Sequence, residues 1–150
     1  NFVRRLTVSL LPVLLSLNVN ALSDSNASAS SNRVAYTLDP NHSYVLWHVN
    51  HFGFSHPSGK WLANGTIQYD AKQPAKSSVA VTINVADIVT GIPALDKHLQ
   101  TDTFFDVAKY PTATFVSDNI KVTGKQSADV MGQLTIHGVT KPITLHMTLN

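Results

Sequence analysis

The sequence predicts an all-β protein: an antiparallel sheet that closes into a barrel or folds into a sandwich, interrupted by one short helical insert. Apolar residues alternate with polar ones in several short runs, the pattern of strands with one buried face. Turn-forming residues separate those runs at short intervals. A single segment, between Pro93 and Pro111, abandons the alternation. Short strands linked by short turns, with no helix between most of them, fit antiparallel pairing and not a parallel sheet.

Taken from the start, Arg4 and Arg5 precede an apolar run from Leu6 to Val19, followed by Val19, Asn20 and Ala21 at the positions a signal peptidase reads. Residues 1–21 are therefore expected to be a cleaved secretory signal. The run is shorter than the roughly 20 apolar residues a spanning helix needs, and Pro12 interrupts it, so no stable membrane span is expected after cleavage. Ser23 to Asn32 is a Ser/Asn/Ala tract without apolar periodicity, which makes residues 22–34 an expected flexible leader. Residues 35–150 are left as one domain.

Within that domain Val45, Trp47 and Val49 share one parity. So do Trp61, Ala63, Ile67 and Tyr69, and then Val79, Val81, Ile83 and Val85. The second half repeats the pattern with Ala113 and Phe115, with Val130, Leu134 and Ile136, and with Ile143, Leu145, Met147 and Leu149. Turn signals lie at His56–Gly59, Ala71–Ser77, Thr123–Asp129 and His137–Pro142. In the insert, Leu95 and Leu99 stand at helical spacing, so one or two short helices are expected over residues 94–109, placed to cap one end of a barrel.

Charge narrows the function. The net charge of +2 contains Arg4 and Arg5, which leave with the signal, so the remainder is near neutral. Every acidic residue is an aspartate, and Arg33 is the only arginine beyond the signal. Neither a basic stripe nor an arginine cluster is available, which argues against nucleic acid as a partner. No cysteine is present, so stability must come from burial, a situation that suits a periplasmic protein.

The stretch His48-Val-Asn-His-Phe-Gly-Phe-Ser-His56 concentrates histidine and phenylalanine. In a strand His48 and His51 point to opposite faces, the wrong spacing for two ligands on one metal ion. His51 shares the parity of Val45, Trp47 and Val49, so an inward position near the strand's end is expected. There it could donate a hydrogen bond to a polar head group or be satisfied by a backbone carbonyl. Phe52 and Phe54 flank Gly53, which marks a bulge or tight bend. No strained nucleophile elbow, paired carboxylates or glycine-rich phosphate loop is present, so catalysis is not expected.

Three blocks, Tyr36–Trp61, Leu95–Ser117 and Gly132–Met147, resemble the YceI-like family of exported polyisoprenoid-binding proteins. The motif residues are Asp39, His42 and Ser43; His51; His98, Leu99, Phe104, Phe105 and Asp106; Lys109 to Pro111; and Gly138 to Lys141. The resemblance implies a lipocalin-like antiparallel barrel with a long apolar channel that binds an isoprenoid or similar amphiphilic chain, and not catalysis; no cofactor is expected. It departs from the family at Trp47 and Trp61, where phenylalanine is usual. Family members also continue with another strand or two, so a barrel truncated at its C-terminus, with open edges, is expected.

On this reading the tail lies along Val45, Trp47, Val49, Val81, Ile83, Phe115, Ile136 and Leu145, with Phe52, Phe54, Phe104 and Phe105 adding rings at the mouth. The head group meets His51, with His42 and Ser43 as further candidates. Alternation by itself leaves a filled core and a lined channel both open. A histidine-dependent metal site drawn from His42, His48, His51 and His98 is the alternative from another class, and a homodimer is left open.

Overall fold

The computed structural model describes residues 32–149; the expected signal and the leader up to residue 31 lie outside the described residues. Seven strands follow in order: β1 Arg33–Thr37, β2 Tyr44–His48, β3 Ser58–Asp70, β4 Ser78–Asn84, β5 Thr112–Gly124, β6 Ser127–Ile136 and β7 Val139–Thr148. All pair antiparallel in the spatial order β1-β3-β4-β5-β6-β7, with β2 also on β3. At 13 residues β3 is long enough to hold two partners on one margin, β2 along Ser58–Leu62 and β1 along Thr66–Asp70. Arg33 and Val34, which composition places in the leader, are strand residues opposite Asp70 and Tyr69.

The sheet is open. β7 forms one margin, β1 and β2 the other, and no ladder joins them among the described residues, so the curled sheet is a half-barrel. The antiparallel all-β architecture and the open edges are those the sequence implies.

Register explains which residues bury. Cross-strand partners share a face, and one face carries Ala63 with Ile83, Ile83 with Ala113, Val81 with Phe115, and Phe115 with Leu134. Two packed clusters result. Trp61, Ile83, Val85, Ile88 and Ala113 form one, and Phe115, Ile120, Ala128 and Val130 the other.

Gly132 belongs to the second cluster's floor. A Cβ added there would lie 2.3 Å from the Val116 carbonyl oxygen and 2.7 Å from the Phe115 ring. Strand β5 would have to move, so Gly132→Ala is expected to destabilise by about 1–3 kcal/mol in urea unfolding, the usual range for overpacking. An unchanged midpoint would show that Phe115 does not rest on β6 as described.

Turn chemistry sets the ends. The two residues joining β6 to β7, His137 and Gly138, have φ of 51° and 71°, the pair of positive angles that matches strand twist in a tight hairpin. Tyr110 lies against this turn, its ring 4.5 Å from that of His137. That turn shares one end of the sheet with the β2–β3 connection and the long β4–β5 connection. The β3–β4 and β5–β6 turns lie at the opposite end.

The β4–β5 connection begins by following β3, since Val89 and Lys60 exchange backbone hydrogen bonds of 3.0 and 2.9 Å. It then forms one helix, α1, Pro93–Leu99. Proline at the helix start needs no N–H there. Asp96 accepts hydrogen bonds from the Thr90 N–H at 2.8 Å and its hydroxyl at 2.6 Å, which pins the entry. No second helix follows. Instead Phe105 N–H returns to the Leu99 carbonyl and Val107 N–H to that of Gln100, folding residues 100–107 back against the helix end.

Candidate functional site

The open end of the sheet gathers aromatic rings from three elements. Trp47 on β2 stands opposite Gly59 on β3, where a Cβ would lie 2.6 Å from the indole, so a side chain at 59 would displace the ring. Trp61 lies on the same face and is buried, its ring centroid 5.6 Å from that of Trp47. Phe105, from the segment after α1, meets Trp61 edge-on at 5.2 Å. The Trp61 indole N–H donates to the Val85 carbonyl at 3.0 Å, tying β3 to the chain beyond β4. The Trp47 N–H is enclosed without an acceptor among the described residues.

Beside this cluster is a cavity of about 730 Å³. One wall is Trp47, Val49, His51 and Pro57, from β2 and the connection to β3. The other wall is α1 and the chain after it, with Leu95 and Leu99 one helical turn apart, His98 beside them, and Thr103, Phe104 and Phe105 beyond. No Asp, Glu, Lys or Arg lines it. Its polar side chains are two imidazoles and the Thr103 hydroxyl. The His98 ring packs edge-on against Phe104 at 4.8 Å. A hollow of this size and apolarity takes up hydrocarbon, and the imidazoles offer hydrogen bonds to an oxygen. A shallower hollow of about 420 Å³, which also touches Trp47, has a more mixed lining, with Leu46 and Val89 beside His48, Ser58, Lys60 and Thr90.

Five of the residues singled out from the sequence line this cavity together: Trp47, Val49, His51, Phe104 and Phe105. The others lie elsewhere. Ile83 and Phe115 are buried in the two clusters, with Val81 and Ile136 packed against them. Val45 and Leu145 are on margin strands and 38% and 42% exposed. Phe52 and Phe54 occupy the tip of the β2–β3 connection, in solvent. The His42 Nδ1 makes an exposed hydrogen bond with the Asp39 carboxylate at 2.7 Å. That contact, followed by the Asn41 N–H, holds the Asp39 carboxyl below the usual carboxylate range. Ser43 is half-buried and its carbonyl accepts the Ala63 N–H, a backbone role. Among the described residues no group of three or more His, Asp or Glu is placed to hold a metal ion.

His98, which the sequence offers only as a candidate metal ligand, also lines the cavity, and Pro57, Leu95, Leu99 and Thr103 join it there without having been assigned to a site from the sequence. The Leu95/Leu99 spacing with His98 between them was the available signal, since it puts a mixed apolar and imidazole face on one side of a short helix.

Among the described residues no helix is long and apolar enough to cross a membrane. The chain is 40% identical over 139 residues to a UPF0312 protein of Pseudomonas savastanoi pv. phaseolicola, covering 91% of this chain and 70% of that protein. The crystal structure of Burkholderia cenocepacia BcnA superposes with a TM-score of 0.64 at 27% identity, over 70% of this chain and 67% of that one. A polyisoprenoid binding domain from Saccharophagus degradans, implicated in plant cell wall breakdown, superposes with a TM-score of 0.53 at 20% identity, over 76% and 68%. The profile of the YceI-like domain matches residues 36–150, from β1 through the whole half-barrel, and the chain belongs to that family.

Proposed function

We propose that this protein binds one polyisoprenoid or similar long-chain amphiphile, for carriage, storage or sequestration, after export to the periplasm with loss of residues 1–21. The observation that carries this is the cavity of about 730 Å³ walled by Trp47, Val49, Leu95, Leu99, Phe104 and Phe105 and free of Asp, Glu, Lys and Arg. The size falls within the range of small-molecule sites. The Saccharophagus domain shares the fold at low identity; for this chain the lipid reading rests on the cavity.

The chemistry is additive. Each methylene withdrawn from water contributes about 0.8 kcal/mol, so a prenyl tail is held without a charged contact. The oxygen at its head meets His51 or His98, whose ring N–H donates a hydrogen bond. Such a site reads girth and apolarity closely and chemical detail poorly, so lipids of similar width should compete. Binding, not catalysis, is the function that follows.

Native mass spectrometry of the purified protein tests the reading. A bound mass that extracts into organic solvent, or that reappears when the emptied protein is offered prenyl alcohols, is the expected result. A protein that comes out empty and stays empty sinks it.

A further inference from the structure

Phe52 and Phe54 are 83% and 94% exposed, although the rest of the β2–β3 connection is firmly built. Val49 N–H donates to the Pro57 carbonyl at 3.0 Å, His51 N–H to that of Ser55 at 2.9 Å, and Phe54 N–H to that of His51 at 3.1 Å. The Asn50 side chain accepts the Gly53 N–H at 2.6 Å. Phe52 itself has φ +54°, a left-handed conformation that a bulky residue adopts only at a cost. A turn held this way leaves two rings largely in water, that of Phe52 edge-on to the His51 ring at 4.6 Å, and orders them in advance of contact with another surface.

We propose that the tip Asn50–His56 docks the protein onto a lipid bilayer by inserting Phe52 and Phe54, and that the ligand enters and leaves the cavity at that contact. Three observations favour a bilayer. From Pro40 to Gly59 the chain has no Asp, Glu, Lys or Arg, so the tip meets the interface without burying a fixed charge, and Leu46 and Val49 are 70% and 51% exposed alongside. Two rings on one tight turn offer far less than the roughly 800 Å² per partner of a standard protein interface, but they have the shape of an interfacial anchor. Finally, the connection that carries the rings also supplies Val49, His51 and Pro57 to the cavity wall, so docking brings the site to the lipid surface. A tail then moves between bilayer and cavity with little exposure of hydrocarbon to water.

This rests on the lipid-binding reading, and the two are separable by experiment. The chain has no cysteine, so Ser55→Cys carries a polarity-sensitive dye at the tip alone. Emission should shift to the blue when phosphatidylcholine vesicles are added to the full chain, and should persist in molar salt. The same dye on Lys125→Cys, in the β5–β6 turn at the other end, should not respond. Adding Phe52→Ser and Phe54→Ser to the tip-labelled protein should weaken vesicle partition by on the order of a hundredfold, since each buried ring contributes about tenfold or more. Both positions are in solvent, so folding is preserved. No shift with vesicles, a shift equal in the double-serine variant, or one abolished by salt overturns the proposal. Farnesol binding without vesicles, measured in parallel, separates the readings. If it is intact while docking fails, docking alone is wrong; if the native chain lacks it, the cavity reading falls and this one with it.

Discussion

Trp61→Ala is expected to destabilise the fold by about 3–5 kcal/mol, the range for deleting a buried tryptophan. In a domain of this size that lowers Tm by more than about 10 °C. The reason is the number of separate pieces that meet at this indole. It packs at a tilt against Trp47 from β2, meets Phe105 from beyond α1 edge to face, and donates its N–H to the Val85 carbonyl after β4. Trp61→Phe keeps most of the ring and loses the hydrogen bond, leaving a buried carbonyl unpaired, so about 1–3 kcal/mol is expected there. Urea unfolding followed by far-UV circular dichroism measures both. Because Trp47 and Phe105 are cavity walls that rest on Trp61, prenyl binding should weaken in the alanine variant even where it remains folded. A cost below about 1 kcal/mol for alanine would mean that the aromatic cluster does not organise this end of the sheet.

Val49→Trp is expected to cut prenyl binding by more than tenfold while leaving stability within about 0.5 kcal/mol, as at surface sites. Val49 is half in solvent, and its backbone bond to Pro57 does not depend on the side chain. An indole there occupies part of the cavity. Excluding as few as two methylenes of the tail removes about 1.6 kcal/mol, which exceeds a factor of ten in Kd. Leu145→Trp is the control, since Leu145 is on β7 and does not line the cavity. Titration with farnesol decides between them. Equal binding by the native chain and Val49→Trp would place the ligand elsewhere, and a loss confined to Leu145→Trp would favour a channel along the strands.

The strands were legible because a half-buried strand writes its period directly into the sequence, and residues such as Ala63, Ile83, Ala113 and Phe115 fall on the face their parity indicates. Parity says which face a residue occupies and nothing about how its neighbours fill the space above it. Phe115 thus reads as channel lining, yet its ring is seated over Gly132 and closes that part of the interior. The cavity lies at the end of the sheet, where chain connections form one wall, and that arrangement has no period. Phe104 and Phe105 could be singled out as aromatic, but Leu95, His98 and Leu99 needed the helix to be docked before they could be seen as its companions. The outward turn of Phe52 and Phe54 depends on a left-handed Phe52 and an Asn50 side chain, local choices that an aromatic-glycine-aromatic pattern leaves undecided.

The close approach of Trp47 to Trp61 has a practical consequence, because these are the chain's only two tryptophans. Indole absorption and emission at long wavelength therefore originate wholly beside the hollow, with no background from elsewhere. At a centroid separation of 5.6 Å the two chromophores couple electronically, so an exciton couplet belongs in the circular dichroism spectrum. Occupancy becomes readable from unlabelled protein as a change in quantum yield and in that couplet.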